Sequence, residues 1–93
     1  MIKSFRNKGT EKVFNRERVQ KFDLKLQHLA QRKLDILDAA ENLNDLRFPP
    51  GNRLEKLTGS RKGEYSIRIN NQWRICFRWR NGEASDVEIV DYH

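Results

Sequence analysis

The chain has 93 residues, with 19 Lys/Arg against 13 Asp/Glu, two histidines and one cysteine, for a formal net charge of +6. This is the length of one domain (residues 1–93) with a small core. No run approaches the roughly 20 apolar residues of a spanning helix, and no apolar stretch of about 7–15 residues follows the basic start Met1-Ile2-Lys3-Ser4-Phe5-Arg6, so neither a membrane span nor a signal peptide is read here.

In chain order, Ile2 to Phe5 reads as a short strand, and Thr10 to Arg18 as a short helix capped by Thr10 or Asn15. The stretch from Lys3 to Lys25 is basic and poor in apolar residues, a composition that favours mobility. From Asp23 to about Leu43 the pattern is helical: Leu26, Leu29, Ala30, Leu34, Leu37, Ala40 and Leu43 recur every three or four residues as one apolar stripe. Pro49-Pro50-Gly51-Asn52 ends any helix before it. A long connector from about Asn44 to Gly63 carries Arg53, Lys56, Arg61 and Lys62, and connectors of that length are often functional.

The period then changes to two. Tyr65, Ile67 and Ile69, and then Trp73, Ile75, Phe77 and Trp79, alternate with Ser66, Arg68, Asn70, Arg74, Cys76, Arg78 and Arg80. That is an antiparallel hairpin with one apolar face and one open, arginine-lined face. On this parity the two tryptophans lie in the core, which leaves the arginine face as the surface open to a partner. Asn81-Gly82 is a hairpin turn, and residues 84–91 form a last strand. The elements add up to an α+β fold: an N-terminal strand and one or two helices packed on a mainly antiparallel sheet.

Charge is unevenly spread. Residues 1–33 hold ten Lys/Arg and three acids, and residues 34–46 hold four acids and no base. Residues 61–80 carry Arg61, Lys62, Arg68, Arg74, Arg78 and Arg80 against Glu64 alone. A basic surface of this kind attracts phosphate backbones, acidic proteins or anionic membranes. The single Cys76 forms no internal disulfide, which fits a reducing cytoplasm. One cysteine and two distant histidines make no zinc pattern, no glycine-rich phosphate loop is present, and no cofactor is expected.

The last strand ends in Asp91-Tyr92-His93, an acid, a phenol and an imidazole together. Metal-free RNA cleavage needs a base for the ribose 2′-hydroxyl, an acid for the leaving 5′-oxygen and cations for the phosphorane. His93 suits proton transfer near neutral pH. Arg74 and Arg68 suit phosphate through their planar, multi-donor heads. Tyr92 can stack on a base or donate a hydrogen bond, and Asp91 can orient the histidine or hold an arginine. Each also has a plainer reading: a solvated terminal histidine, a strand-end ion pair, a packed tyrosine, arginines that keep a sheet face soluble.

Taken together, Met1-Ile2-Lys3-Ser4-Phe5, the Leu-Asp-Ala-Ala core within Leu34 to Leu46, Pro49-Pro50-Gly51-Asn52-Arg53-Leu54, Tyr65-Ser66-Ile67-Arg68, Trp73-Arg74-Ile75-Cys76-Phe77 and Asp91-Tyr92-His93 resemble the HigB-type toxins of the RelE/ParE superfamily. The resemblance covers essentially the whole chain. It implies a RelE-like domain and a cytoplasmic toxin that cuts mRNA in the ribosomal A site. It also implies a HigA-like helix-turn-helix antitoxin as partner, through which alone the toxin meets operator DNA. Asp91, Tyr92, His93 and Arg74 then fall at the active site, with Arg68, Arg53, Lys56, Arg61 and Lys62 on the RNA path. Some relatives carry a histidine where this chain has Glu55 and a lysine where it has Thr58. Either the acid–base work is weakened or Glu55 is itself the base. Two other readings remain: a ParE-like toxin that binds DNA gyrase without catalysis, and a slow relative that acts mainly in the operator-bound antitoxin complex.

Overall fold

A computed structural model describes residues 1–92 of the chain. Two helices, α1 (Lys8–Phe14) and α2 (Leu24–Ala39), precede an antiparallel sheet of β1 (Glu55–Lys56), β2 (Tyr65–Arg68), β3 (Trp73–Arg80) and β4 (Glu83–Asp91), ordered as in the sequence. Three short 3-10 turns, at Leu43–Arg47, Pro50–Asn52 and Gly59–Arg61, punctuate the connector. No helix among the described residues is long and apolar enough to cross a membrane.

α1 starts earlier and stops sooner than its pattern suggests. Asn7 is the cap, its side chain accepting from the Thr10 amide at 2.9 Å. Arg16, with φ 65°, takes the chain out of helical geometry before Arg18. Thr10 faces inward instead, and its hydroxyl accepts from the Ile89 amide at 3.0 Å. That bond belongs to the closure of an edge. Residues 1–6 run parallel to β4, with bridges Ile2 to Ala84 and Phe5 to Val87, so the expected first strand is realised as two separate bridges. They are separated because β4 bulges: Asp86 adopts φ 52°, the register shifts, and its amide turns to the Ser4 hydroxyl at 2.9 Å. Thr10 covers the next open position, so this side of β4 offers little unpaired backbone to another chain.

The segment between the helices packs against the core. Val13 and Phe22 are buried. The buried Gln27 accepts from the Val19 amide (3.0 Å) and the Arg18 guanidinium (2.8 Å) and donates to the Glu17 carbonyl (2.7 Å). One amide side chain therefore replaces the apolar contacts that the composition lacks.

α2 is capped by Asp23 and buries Leu26, Ala30, Leu34 and Leu37 against the sheet. It ends at Ala39, not near Leu43, because Asn42 and Asp45 form a reciprocal capping box that starts a new turn. The apolar stripe outlasts the helix: Ala40 is still buried, with an extended ψ of 133°. On the sheet, Ile67, Ile75, Phe77, Val87 and Ile89 meet the helices, and the two tryptophans are half-buried at the flanks, Trp73 standing edge-on to Phe22 at 5.5 Å. Asn81 and Gly82 both take positive φ, as a tight hairpin requires.

The second sheet face is not the open arginine surface that alternation suggests. Ser66 and Cys76 are fully buried and Arg74 is 8% exposed. The connector returns to add β1 beside β2, with Glu55 opposite Ser66, and Leu57 and Glu64 are buried with it. Glu64 accepts Arg61 (3.1 Å) and Arg6 (3.4 Å), Glu88 accepts the same two arginines, and Arg78 pairs with Asp86 at 3.5 Å. A two-period pattern reports which side chains share a face but not whether a distant loop covers it.

Asn52 fixes that loop. Its amide nitrogen donates to the carbonyls of Leu46 (3.2 Å) and Phe48 (3.1 Å), and its oxygen accepts from Lys33 Nζ on α2 (2.5 Å). Replacing it with leucine leaves buried partners unmet, so Asn52→Leu should lower unfolding free energy by about 2–4 kcal/mol, read as a reduced urea midpoint; an unchanged midpoint would show that the turn holds without it. Burial, reinforced by Glu64 and Glu88 against the opposing Arg61 and Arg74, pushes the Cys76 thiol above its ordinary value of 9.0. The folded state therefore holds this proton more tightly than the unfolded chain does. The contribution is complete below about pH 9 and is lost as pH climbs toward the raised folded value, at up to about 1.4 kcal/mol per pH unit. Wild type should lose stability above about pH 9 more steeply than Cys76→Ala, and parallel stability curves would refute this.

Candidate active site

β3 carries Arg74 into the layer between the sheet and the connector. Its Nε donates to the Ser66 hydroxyl at 2.8 Å, and Nη2 donates to the Arg53 carbonyl at 2.6 Å. The Arg53 carbonyl belongs to a residue with φ 43°, a left-handed conformation that closes the Pro50–Asn52 turn. A non-glycine residue there costs of order 1 kcal/mol and persists only where its surroundings impose it. Here one of its partners is the arginine.

Glu55 Oε2 lies 3.3 Å from Arg74 Nη2, and the Tyr92 ring lies 5.8 Å from the guanidinium carbon. Among the described residues, Arg74 Nη1 makes no hydrogen bond. Glu55, Lys56, Leu57, Thr58 and Tyr92 line an open hollow beside this group. The Glu55 side chain is 52% exposed, so its contact with Arg74 is half in water and exchangeable. The guanidinium thus offers a positive centre, fixed on its buried side and lightly capped on its solvent side.

Of the residues singled out from sequence, Arg74, Glu55, Tyr92 and Lys56 come together here. Asp91 accepts from Gln72 Nε2 at 3.2 Å, and the Tyr92 amide donates to the Gln72 carbonyl at 2.6 Å, which ties the end of β4 to the β2–β3 turn. His93 lies outside the described residues. Arg68 stands directly across from Arg74 in the sheet and donates to the Asn71 side-chain oxygen. Arg53 and Lys62 have exposed side chains. Arg61 is held by Glu64 and Glu88, so its donors are already committed to carboxylates. Thr58, like Glu55, lines the hollow. Among the described residues, no three His, Cys, Asp or Glu side chains gather as a metal-ligand set.

Two contributors escape the sequence reading. Ser66 anchors Arg74, and the alternation that puts both on one face is the signal that points to it. Asn52 holds the turn that brings the Arg53 carbonyl into place, and nothing but its position in a Pro-Gly turn marks it.

The geometry can be set beside known proteins. A profile of the family described as RelE-like toxin of type II toxin–antitoxin system HigB matches residues 3–93. The chain is 41% identical over 90 residues to "Toxin HigB-1" of Vibrio cholerae, covering 96% of this chain and 95% of that one. It is 31% identical over 93 residues to "Endoribonuclease HigB" of Proteus vulgaris, with both chains fully covered. In fold it is similar to the YoeB–YefM complex from Staphylococcus aureus, with a TM-score of 0.63, 18% identity and 100% and 98% of the two chains covered. It is also similar to a YafQ mutant from E. coli, with a TM-score of 0.60, 13% identity and 98% and 93% covered. The chain therefore belongs to the HigB toxins of type II toxin–antitoxin systems, among the RelE-like toxins.

Proposed function

We propose that this toxin is an endoribonuclease that cuts mRNA on the ribosome by metal-independent transesterification, with Arg74 at its centre. The observation that carries the reading is Arg74 itself: a buried guanidinium, pinned by Ser66 and the Arg53 carbonyl, whose exchangeable contact is a carboxylate in an open hollow. Such a group is preorganised for an anion, and electrostatic preorganisation is commonly the largest part of catalysis. The "Endoribonuclease" name of the Proteus vulgaris relative supports the same reaction class.

In the proposed mechanism the scissile phosphate takes the place of Glu55 on Arg74. Glu55 is left beside the reacting phosphate and accepts the proton of the ribose 2′-hydroxyl. The 2′-oxygen attacks phosphorus, Arg74 stabilises the pentavalent centre, and the bond to the 5′-oxygen breaks. His93 gives that oxygen its proton. The products are a 5′-hydroxyl and a 2′,3′-cyclic phosphate, which water opens to a 3′-phosphate. Tyr92 stacks on a neighbouring base, Asp91 orients the chain end, and Arg53, Lys56, Arg68, Arg61 and Lys62 attract the strand. Arg61 contributes least, because it must first leave two carboxylates.

The partner in the proposed pair is a HigA-like helix-turn-helix antitoxin, operator DNA is met only through it, and the pair works in the cytoplasm. Binding DNA gyrase without catalysis would not require a buried arginine with an exchangeable counter-ion, so that reading is the weaker one.

In a reconstituted translation reaction, mRNA should be cut at A-site codons and uncut when ribosomes are omitted. Arg74→Ala should lower the cleavage rate by about 10²–10³-fold, as removal of one transition-state donor does. Glu55→Gln and His93→Gln should each lower it by about 10²–10⁴-fold, the usual worth of a positioned acid or base. Intact mRNA in the wild-type reaction, or full cleavage by Arg74→Ala, would end the proposal. Product ends bearing 5′-phosphate and 3′-hydroxyl groups would refute the transesterification chemistry.

A further inference from the structure

A row of cations leads away from Arg74. Arg68 on β2 is its direct cross-strand partner, and like charges directly opposite each other in a sheet are destabilising. Lys33 on α2, half-buried, is near enough to Arg68 to feel its charge: its pKa is held below the ordinary lysine value by burial first, then by Arg68 and Arg32. Among the described residues neither Lys33 nor Arg68 has a carboxylate within ion-pair distance. Lys33 Nζ donates to Asn52 Oδ1 at 2.5 Å, and Arg68 Nη2 donates to Asn71 Oδ1. Both are bound to neutral amide oxygens.

The arginines near Cys76 and the β4 bulge behave in the opposite way. Arg6, Arg61 and Arg78 each meet carboxylates from the set Glu64, Asp86 and Glu88. So the fold supplies carboxylates to one group of arginines and withholds them from the half-buried Lys33 and Arg68. The pair left without them, Lys33 and Arg68, adjoins the proposed catalytic arginine, whose own carboxylate is the half-exposed Glu55. Only the Asn52 side chain and one peptide unit separate Lys33 Nζ from the Arg53 carbonyl that Arg74 grips. Solubility alone does not explain a lysine that is partly desolvated beside two arginines, since an exposed lysine serves that purpose at no cost.

We propose that Lys33 and Arg68 form a second phosphate subsite, which takes the backbone phosphate adjoining the scissile one on the same RNA strand. This rests on the reading of the chain as an RNA-cleaving toxin and adds a residue of α2 to its substrate contacts. Asn52 is the positioning residue that holds the lysine toward the strand. Phosphate entering the subsite relieves the mutual repulsion of the cations, so binding is strongest at low salt.

The test is binding without cleavage. A short single-stranded RNA with 2′-O-methyl on every ribose cannot undergo transesterification, and its affinity is measured over a range of salt concentrations. Lys33→Gln and Arg68→Gln should each weaken binding about ten-fold and reduce the log–log salt slope by about 0.7, the value for one single-strand phosphate contact. Lys33→Arg should restore binding, which excludes misfolding as the cause, and Lys12→Gln on α1 should leave it unchanged. The proposal is overturned if Lys33→Gln behaves like Lys12→Gln, or if wild type does not retain the oligonucleotide at low salt. It is equally overturned if the substitution weakens antitoxin binding alone, which would make the row a protein-binding surface. Lys33-dependent retention with mRNA intact in translation removes the nuclease and leaves the subsite. Cleavage with Lys33-independent retention removes the subsite alone.

Discussion

Burying an arginine constrains everything around it. A guanidinium out of water must find partners for the donors it buries, or the desolvation cost exceeds what the fold can supply. Arg74 finds them in a serine one strand away and in a backbone carbonyl from the connector. The second partner is available only if the connector turns back over the sheet, which demands the left-handed Arg53, the turn before it and the Asn52 side chain that locks the turn to α2. The arrangement of the second sheet face follows from meeting the needs of one charge. Because those partners are neutral, the guanidinium keeps its full charge for whatever replaces Glu55.

The same constraint divides the surface chemistry. Around Cys76 and the bulge at Asp86, arginines and carboxylates neutralise one another in a network that seals the sheet where the N-terminal segment crosses it. Near the Pro-Gly turn, Lys33 is tied to an amide oxygen, Arg53 is left to solvent and Arg74 meets only the half-exposed Glu55. A net charge of +6 is therefore a poor description of the field. Part of the excess is cancelled locally, and part of what is left stands near the Pro-Gly turn and Arg74.

Much of this was legible in the sequence. The apolar stripe of α2, the two-residue alternation of β2 and β3, and the Asn81-Gly82 turn are local signals, and each produced the element expected of it. The likeness of the terminal Asp91-Tyr92-His93 and the Trp73-Arg74 pair to HigB-type toxins pointed to the family. What failed was non-local. Alternation put Arg74 and Ser66 on the face opposite the core but carried no information about the connector that buries them. The stripe through Leu43 overran α2 because the capping box at Asn42 and Asp45 outcompetes the helix. The basic region before α2 is poor in apolar residues, and the Gln27 hydrogen bonds that tie it down could not be read from composition. Glu55 was suspected only because relatives differ there, and its pairing with Arg74 required the register of β1.

The pairing of residues 2–5 with β4 has a consequence for how the molecule folds. The N-terminal strand-like segment pairs with a strand far along the chain, 82 residues away at the Ser4–Asp86 bond, so the sheet has a high contact order and closes late in folding. Until β4 arrives, β3 has one neighbour instead of two and the N-terminal segment has none. Tyr92 is delivered to Arg74 by that same final strand. A folding intermediate in which β4 has not docked therefore lacks the contact of Tyr92 with Arg74, and the candidate site is completed only when that strand is in place.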